Sequence, residues 1–253
     1  MEKQRYFLWI AYNGSGYHGW QIQPNGLSIQ EEIEDALAIL FGEPIEIVGA
    51  GRTDTGVHAH QMVAHVDLPS VDNIQLLIKQ LNGILPPAIA IQQIQPVSQN
   101  AHARFDAISR TYEYWIVTRK NPFFAQTTAA IYAPLDFNAM NRAASILLEY
   151  KDFTSFSKLH TDVKTNDCDI QEAYWEQRDE HWVFTITANR FLRNMVRAIV
   201  GTLIQVGRGK LTENEFRNII ESKDRSKAGA SVNPNGLYLV QVQYPKHLFE
   251  VNQ

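Results

Sequence analysis

The stretch Gly51-Arg52-Thr53-Asp54-Thr55-Gly56-Val57-His58-Ala59-His60 crowds a carboxylate, a guanidinium, two hydroxyls and two imidazoles together. Three chemistries could use such a set. A metal site would draw on Asp54, His58, His60 and His65, since alternate residues of a strand face one side, but the usual zinc spacings are absent and no metal is expected. A phosphate cradle needs Lys directly after the second glycine, and Val57 stands there. Gly14-Ser15-Gly16 lacks the third glycine of a dinucleotide fingerprint. Nucleophilic catalysis is the third option: a carboxylate two positions after an arginine can attack an electrophilic carbon. Asp54 could equally cap the turn by accepting the Gly56 N–H, and the residues alone leave both open.

Two further sets bear on a partner. Arg190, Arg193, Arg197, Arg208 and Lys210 lie between Ala188 and Thr212 with no acid among them, although the whole chain carries a net charge of -4. Such clustering reads either as a phosphate-binding helix face or as a solvated helix surface. Tyr112 and Tyr114 alternate along Arg110–Trp115, and Tyr17, His18 and Trp20 sit in a polar loop. Rings beside arginines can stack on bases, whereas strand tyrosines also fill cores.

The elements that must position these groups follow from periodicity. Strands are predicted at 6–12, 45–48, 61–68 and 89–94, with helices at 28–41 and 72–85. Ser28 and Glu31 form a capping box for the first helix, and Pro86-Pro87 stops the second. Strands then follow at 111–118, 172–178, 182–188 and 237–244, with helices at 136–150, 191–206 and 213–222. The order is βαββαβ twice with one extra helix. It predicts an α+β fold of two ferredoxin-like halves with antiparallel sheets, divided into 1–106 and 107–253, with a central cleft as the binding site. A hydrophobic content of 45% and a charged content of 20% suit a globular protein. No apolar run could span a membrane, and the first residues lack a signal-peptide core, so a cytoplasmic protein is expected. Cys168, the only cysteine, excludes an internal disulfide and reads as filler.

With these residues assembled, the sequence resembles the tRNA pseudouridine synthase A family. The likeness runs through Tyr12–Gln21, Gly51–Ala59, Ala103–Ala107, Ser109–Tyr112, Asp152–Phe156, Ala188–Arg197 and Gly236–Leu239. It implies the pseudouridine synthase fold with a central RNA-binding cleft. It also implies isomerisation of uridine in the tRNA anticodon stem-loop, no cofactor, and a homodimer in which one tRNA touches both subunits. By the same resemblance Asp54 is the nucleophile, Arg197 its partner and Tyr112 the ring that stacks on the target base. Arg52 lies near the flipped nucleotide, Leu237 or Leu239 packs beside the base, and Arg190 and Arg193 face phosphate. Residues Ala228–Asn235 depart from the family pattern, as do His102 and Cys168-Asp169.

Overall fold

The computed structural model describes residues 3–24, 26–158 and 165–250. Two compact units are present: Met1–Ile108 together with Leu239–Gln253, and Ser109–Tyr238. The sequence reading divides the chain once, after 106; here the chain returns, and its last strand from Leu239 onward belongs with the first unit.

In the first unit the long strand β1 (Lys3–Tyr12) pairs antiparallel with β3 (His58–Pro69) and with β4 (Ile89–Pro96), and β2 (Ile47–Gly49) pairs with β3. The strands therefore run β4-β1-β3-β2. Helices α1 (Ile29–Phe41) and α2 (Ile74–Ile84) are their crossovers. The capping box at Ser28 and Glu31 is formed, and Gly42 ends α1 with φ of 73°, a left-handed turn that glycine adopts without strain. Phe7 and Leu8 point to opposite faces of β1, and both are fully buried, so both faces are covered there. On the Phe7 face the cover includes Tyr244 and Phe249, with ring centroids at 4.9 and 6.1 Å.

In the second unit β5 (Ser109–Val117) pairs antiparallel with β8 (His181–Ala188), which pairs with β7 (Ile170–Arg178). A two-residue strand, β6 (Ala129–Ala130), runs parallel to β5. The β7–β8 hairpin turns at Asp179, whose φ is 52°. Helices α3 (Phe137–Ile146), α4 (Met195–Gly207) and α5 (Glu213–Glu221) complete the unit. β9 (Leu237–Gln243) begins here and continues into the first unit. The chain is thus a mixed α+β protein with mostly antiparallel pairing. No helix among the described residues is long and apolar enough to cross a membrane.

The expected basic helix is corrected. Helix α4 starts at Met195 rather than Phe191, because Asn194 takes a left-handed conformation with φ of 66° and breaks the helical path. Arg190 and Arg193 thereby fall in the turn before the helix. Within α4 every residue except Arg197 and Gln205 is buried, so the helix is a core element with one arginine. Phe191 and Leu192 extend the apolar spacing of α4 upstream of its first residue, so periodicity alone does not mark the helix start.

His65, on β3, is buried, and its Nδ1 accepts the Ala103 N–H at 3.2 Å. Burial, aided by the Arg5 charge, lowers its pKa to about 4. The folded chain then holds fewer protons than the unfolded one between about pH 6.5 and 4. Stability should fall as pH drops through that window. Urea titrations at pH 7 and 5 check this: His65→Gln should lessen the difference, and an unchanged difference refutes the assignment.

Candidate active site

Asp54 lies in the connection from β2 to β3, and the segment 13–20 is laid directly over that connection. Trp20 N–H donates to the Thr53 carbonyl at 3.2 Å, and Gly56 N–H to the Tyr17 carbonyl at 3.4 Å. The Tyr12 and Thr53 hydroxyls share a buried hydrogen bond of 2.8 Å. Gly14 N–H donates to His58 Nδ1 at 3.1 Å. Val57 N–H closes the turn onto the Asp54 carbonyl at 3.1 Å, and Gly56 adopts φ of 77°. The approach is close enough to require glycine. A Cβ on Gly14 would stand 2.1 Å from the Val57 carbonyl oxygen, and one on Gly19 would stand 2.4 Å from that of Thr53.

Two segments some forty residues apart thus make one frame around Asp54, which is half-buried; Arg52 beside it is exposed. The frame changes the reading of the rings: Tyr17 and Trp20 are buried in it rather than offered for stacking. It also separates the histidines. His58 is buried with Nδ1 engaged by Gly14, while His60 is exposed.

In the second unit Tyr112 stands on β5 opposite Ile186 of β8, half-buried, with its ring edge-on to Phe191 at 5.1 Å. Tyr114, two residues on, is core: it is 1% exposed, and its hydroxyl donates to the Asn233 carbonyl at 2.9 Å. Burial pushes that hydroxyl well above its usual pKa, opposed by the Arg197 charge.

Arg197, in the first turn of α4, is bound to the segment that departs from the family pattern. Its Nε donates to the Val232 carbonyl at 2.8 Å, and Val232 N–H returns to the Arg197 carbonyl at 3.2 Å. That segment is itself anchored on α4. Gly229 N–H donates to Thr202 Oγ1 at 2.9 Å, and a Cβ on Gly201 would stand 1.9 Å from the Ala230 carbonyl oxygen. Arg225 spans the Gly229 carbonyl and Ser231 Oγ at 3.2 and 3.0 Å. Sequence reasoning missed Val232, Asn233 and Arg225; the glycine pair Gly201 and Gly229 was the available signal of two backbones in contact.

Arg190 is half-buried and its charge reaches Cys168, whose buried thiol is nonetheless pushed up to about 11, which makes it a weak nucleophile. Arg193 is exposed, with its carbonyl accepting from Lys158 N–H at 3.1 Å. Leu237 and Leu239 are both buried on β9, Leu237 in the second unit and Leu239 in the first.

A family model described as tRNA pseudouridine synthase matches residues 143–245. The tRNA pseudouridine synthase A of Parabacteroides distasonis is 58% identical over 249 residues, covering 98% of this chain and 99% of the relative. The chain belongs to the tRNA pseudouridine synthase A family. The protein of the same name from Bacteroides fragilis is 56% identical, covering 99% of this chain and all of the relative. At greater distance the synthase A of Aliivibrio salmonicida is 40% identical over 96% of this chain and 93% of the relative. Family membership therefore extends over both units, the Asp54 frame and the Arg197 anchor alike.

Proposed function

We propose that this chain is a tRNA pseudouridine synthase, an isomerase that converts uridine to pseudouridine in the anticodon stem-loop. The observation that carries the reading is the near-complete coverage of synthase A relatives at 58% identity. Extraction of a stacked uridine costs a few kcal/mol. Tyr112 returns part of it by stacking on the base. Asp54 attacks and forms a covalent adduct, and the N1–C1′ glycosidic bond breaks. The base turns, C5 bonds to C1′, the C5 proton leaves to solvent, N1 takes up a proton from solvent, and Asp54 is released as its carboxylate. Nothing is oxidised or reduced, so no redox cofactor is required.

Arg197 is the cationic partner of the Asp54 carboxylate in this reading, held by its bond to Val232. Arg52, Arg190 and Arg193 take phosphates, and Leu237 and Leu239 pack beside the base. The finer fold reading, two ferredoxin-like halves serving one RNA-binding cleft, belongs to the same proposal, supported in the first unit by the order β4-β1-β3-β2. So do a homodimer that shares one tRNA between subunits and a cytoplasmic location.

Pseudouridine mapped in an anticodon stem-loop after incubation with the chain, without added metal, tests the activity; an unmodified RNA refutes it. The role of Tyr112 is tested separately. Tyr112→Phe should retain most activity, while Tyr112→Ala should lose about tenfold or more, given stacking worth ~1–3 kcal/mol. Equal rates in the two variants would remove Tyr112 from the site.

A further inference from the structure

The segment 101–106 of the first unit is held by bonds from several directions. Arg5 Nη1 donates to the Ala101 carbonyl at 3.0 Å. Ala103 N–H donates to His65 Nδ1 at 3.2 Å, and its carbonyl accepts from the Tyr244 hydroxyl at 2.5 Å. His102 N–H donates to Asp106 Oδ2 at 2.7 Å. His102 Nδ1 faces the backbone N–H groups of Arg104 and Phe105 at 3.1 and 3.4 Å. The backbone that presents Arg104 and Phe105 is therefore fixed before any partner arrives.

This rigid segment offers an apolar ring to water. Phe105 is 73% exposed. It ends a series of rings: buried His65 meets His102 at 4.6 Å between centroids, and His102 meets Phe105 at 4.2 Å with planes tilted by 37°. The Arg104 guanidinium lies 5.7 Å from the Phe105 centroid. The series starts in the core, and its last ring lies mostly in solvent, where one more planar ring can continue it.

We propose that Phe105 and Arg104 form an RNA contact outside the catalytic set, in which an unpaired base of the RNA stacks on Phe105 and Arg104 takes the adjoining phosphate. The inference rests on the RNA substrate proposed above and adds a second point of attachment. Base-on-aromatic stacking tolerates any base, and an arginine beside the ring supplies the charge that a nucleotide also carries. The groups around the two histidines agree. Arg5, Asp67, His102 and Asp106 face His65; Arg5, Arg104 and Asp106 face His102; burial lowers both imidazole pKa values. Neutral imidazoles keep their acceptor bonds to the segment, and Arg104 is exposed beside the Phe105 ring.

The test measures tRNA dissociation constants and single-turnover pseudouridine formation at saturating enzyme for the full chain and three variants. Phe105→Ala should weaken tRNA binding about tenfold, equal to about 1.4 kcal/mol, with the saturated rate unchanged. Phe105→Trp should bind as the parent does, and Phe105→Leu should resemble Phe105→Ala. Melting temperatures should match throughout, since the ring is exposed. Parent-like binding by Phe105→Ala overturns the proposal, and so does parent-like binding by Phe105→Leu, which would show an apolar contact without stacking. A drop in the molar mass of RNA-free Phe105→Ala would assign the ring to a second copy of the chain and overturn it as well. If the parent binds tRNA but forms no pseudouridine, the reading of the activity fails, while the binding comparison still decides the stack.

Discussion

Asp54→Asn should bring tritium release from C5-labelled uridine in tRNA to background, a loss of at least about 10⁴-fold, with tRNA binding changed by less than about threefold. The split between the two readouts follows from how the loop is held. Its closure uses the Asp54 carbonyl, the Thr53 carbonyl and hydroxyl, and the Gly56 N–H. Those groups survive replacement of the carboxylate by an amide of the same shape. What disappears is the charged oxygen that attacks carbon in the proposed mechanism. A variant that releases tritium at the parent rate would exclude covalent aspartate catalysis. A variant that also loses tRNA binding would make Asp54 a structural residue of the RNA surface.

The second large effect is expected at Gly19→Ala, a residue with no side chain and no chemistry. Its φ of 92° is a conformation that alanine adopts at a cost of about 1–2 kcal/mol. The new Cβ would also stand 2.4 Å from the Thr53 carbonyl oxygen and 3.1 Å from the Asp54 carbonyl carbon, and backbone cannot swing aside as a side-chain tip can. Relief must come from displacing the Asp54 connection. A shift of about 1 Å at the attacking group can cost roughly 100-fold in rate. We expect a melting temperature several degrees lower and a single-turnover rate reduced by about that factor. Gly16→Ala is the control, since a Cβ there meets nothing within 4 Å. Equal rates for the two variants would show that the overlay of segment 13–20 does not set the position of Asp54.

Local signals in the sequence were enough for most elements. Ser28 and Glu31 mark the start of α1 because a capping box is a contact between near neighbours. The β7–β8 hairpin is legible for the same reason. Helix α4 was misplaced at its start because apolar spacing continues into a turn that only the left-handed Asn194 reveals. β6 is two residues long and leaves no periodic trace. For the site, Asp54 stood out by its neighbours, but its frame did not: Gly14 and Gly19 meet Val57 and Thr53 across a separation no local pattern encodes. Alternation placed Tyr112 and Tyr114 on one face without telling that Tyr114 is sealed by Asn233 while Tyr112 stays half-open. The difference lies in what the distant 228–236 segment covers.

The first unit borrows its finish from the far end of the chain. Ile108 N–H donates to Gln243, Ser98 N–H to Leu248, and Tyr244 and Phe249 cover Phe7. A ribosome making this protein therefore releases the Asp54 loop long before the strand and rings that complete its unit. The intervening residues Ser109–Tyr238 form a compact unit of their own and can fold in that interval. A released chain ending after residue 238 should accordingly show protease cleavage within residues 3–108 and protection within β5, β7 and β8. The Asp54 loop's unit is thus complete only once residues 239–249 are made, and until then the proposed site is unfinished among the RNAs crowded around the ribosome.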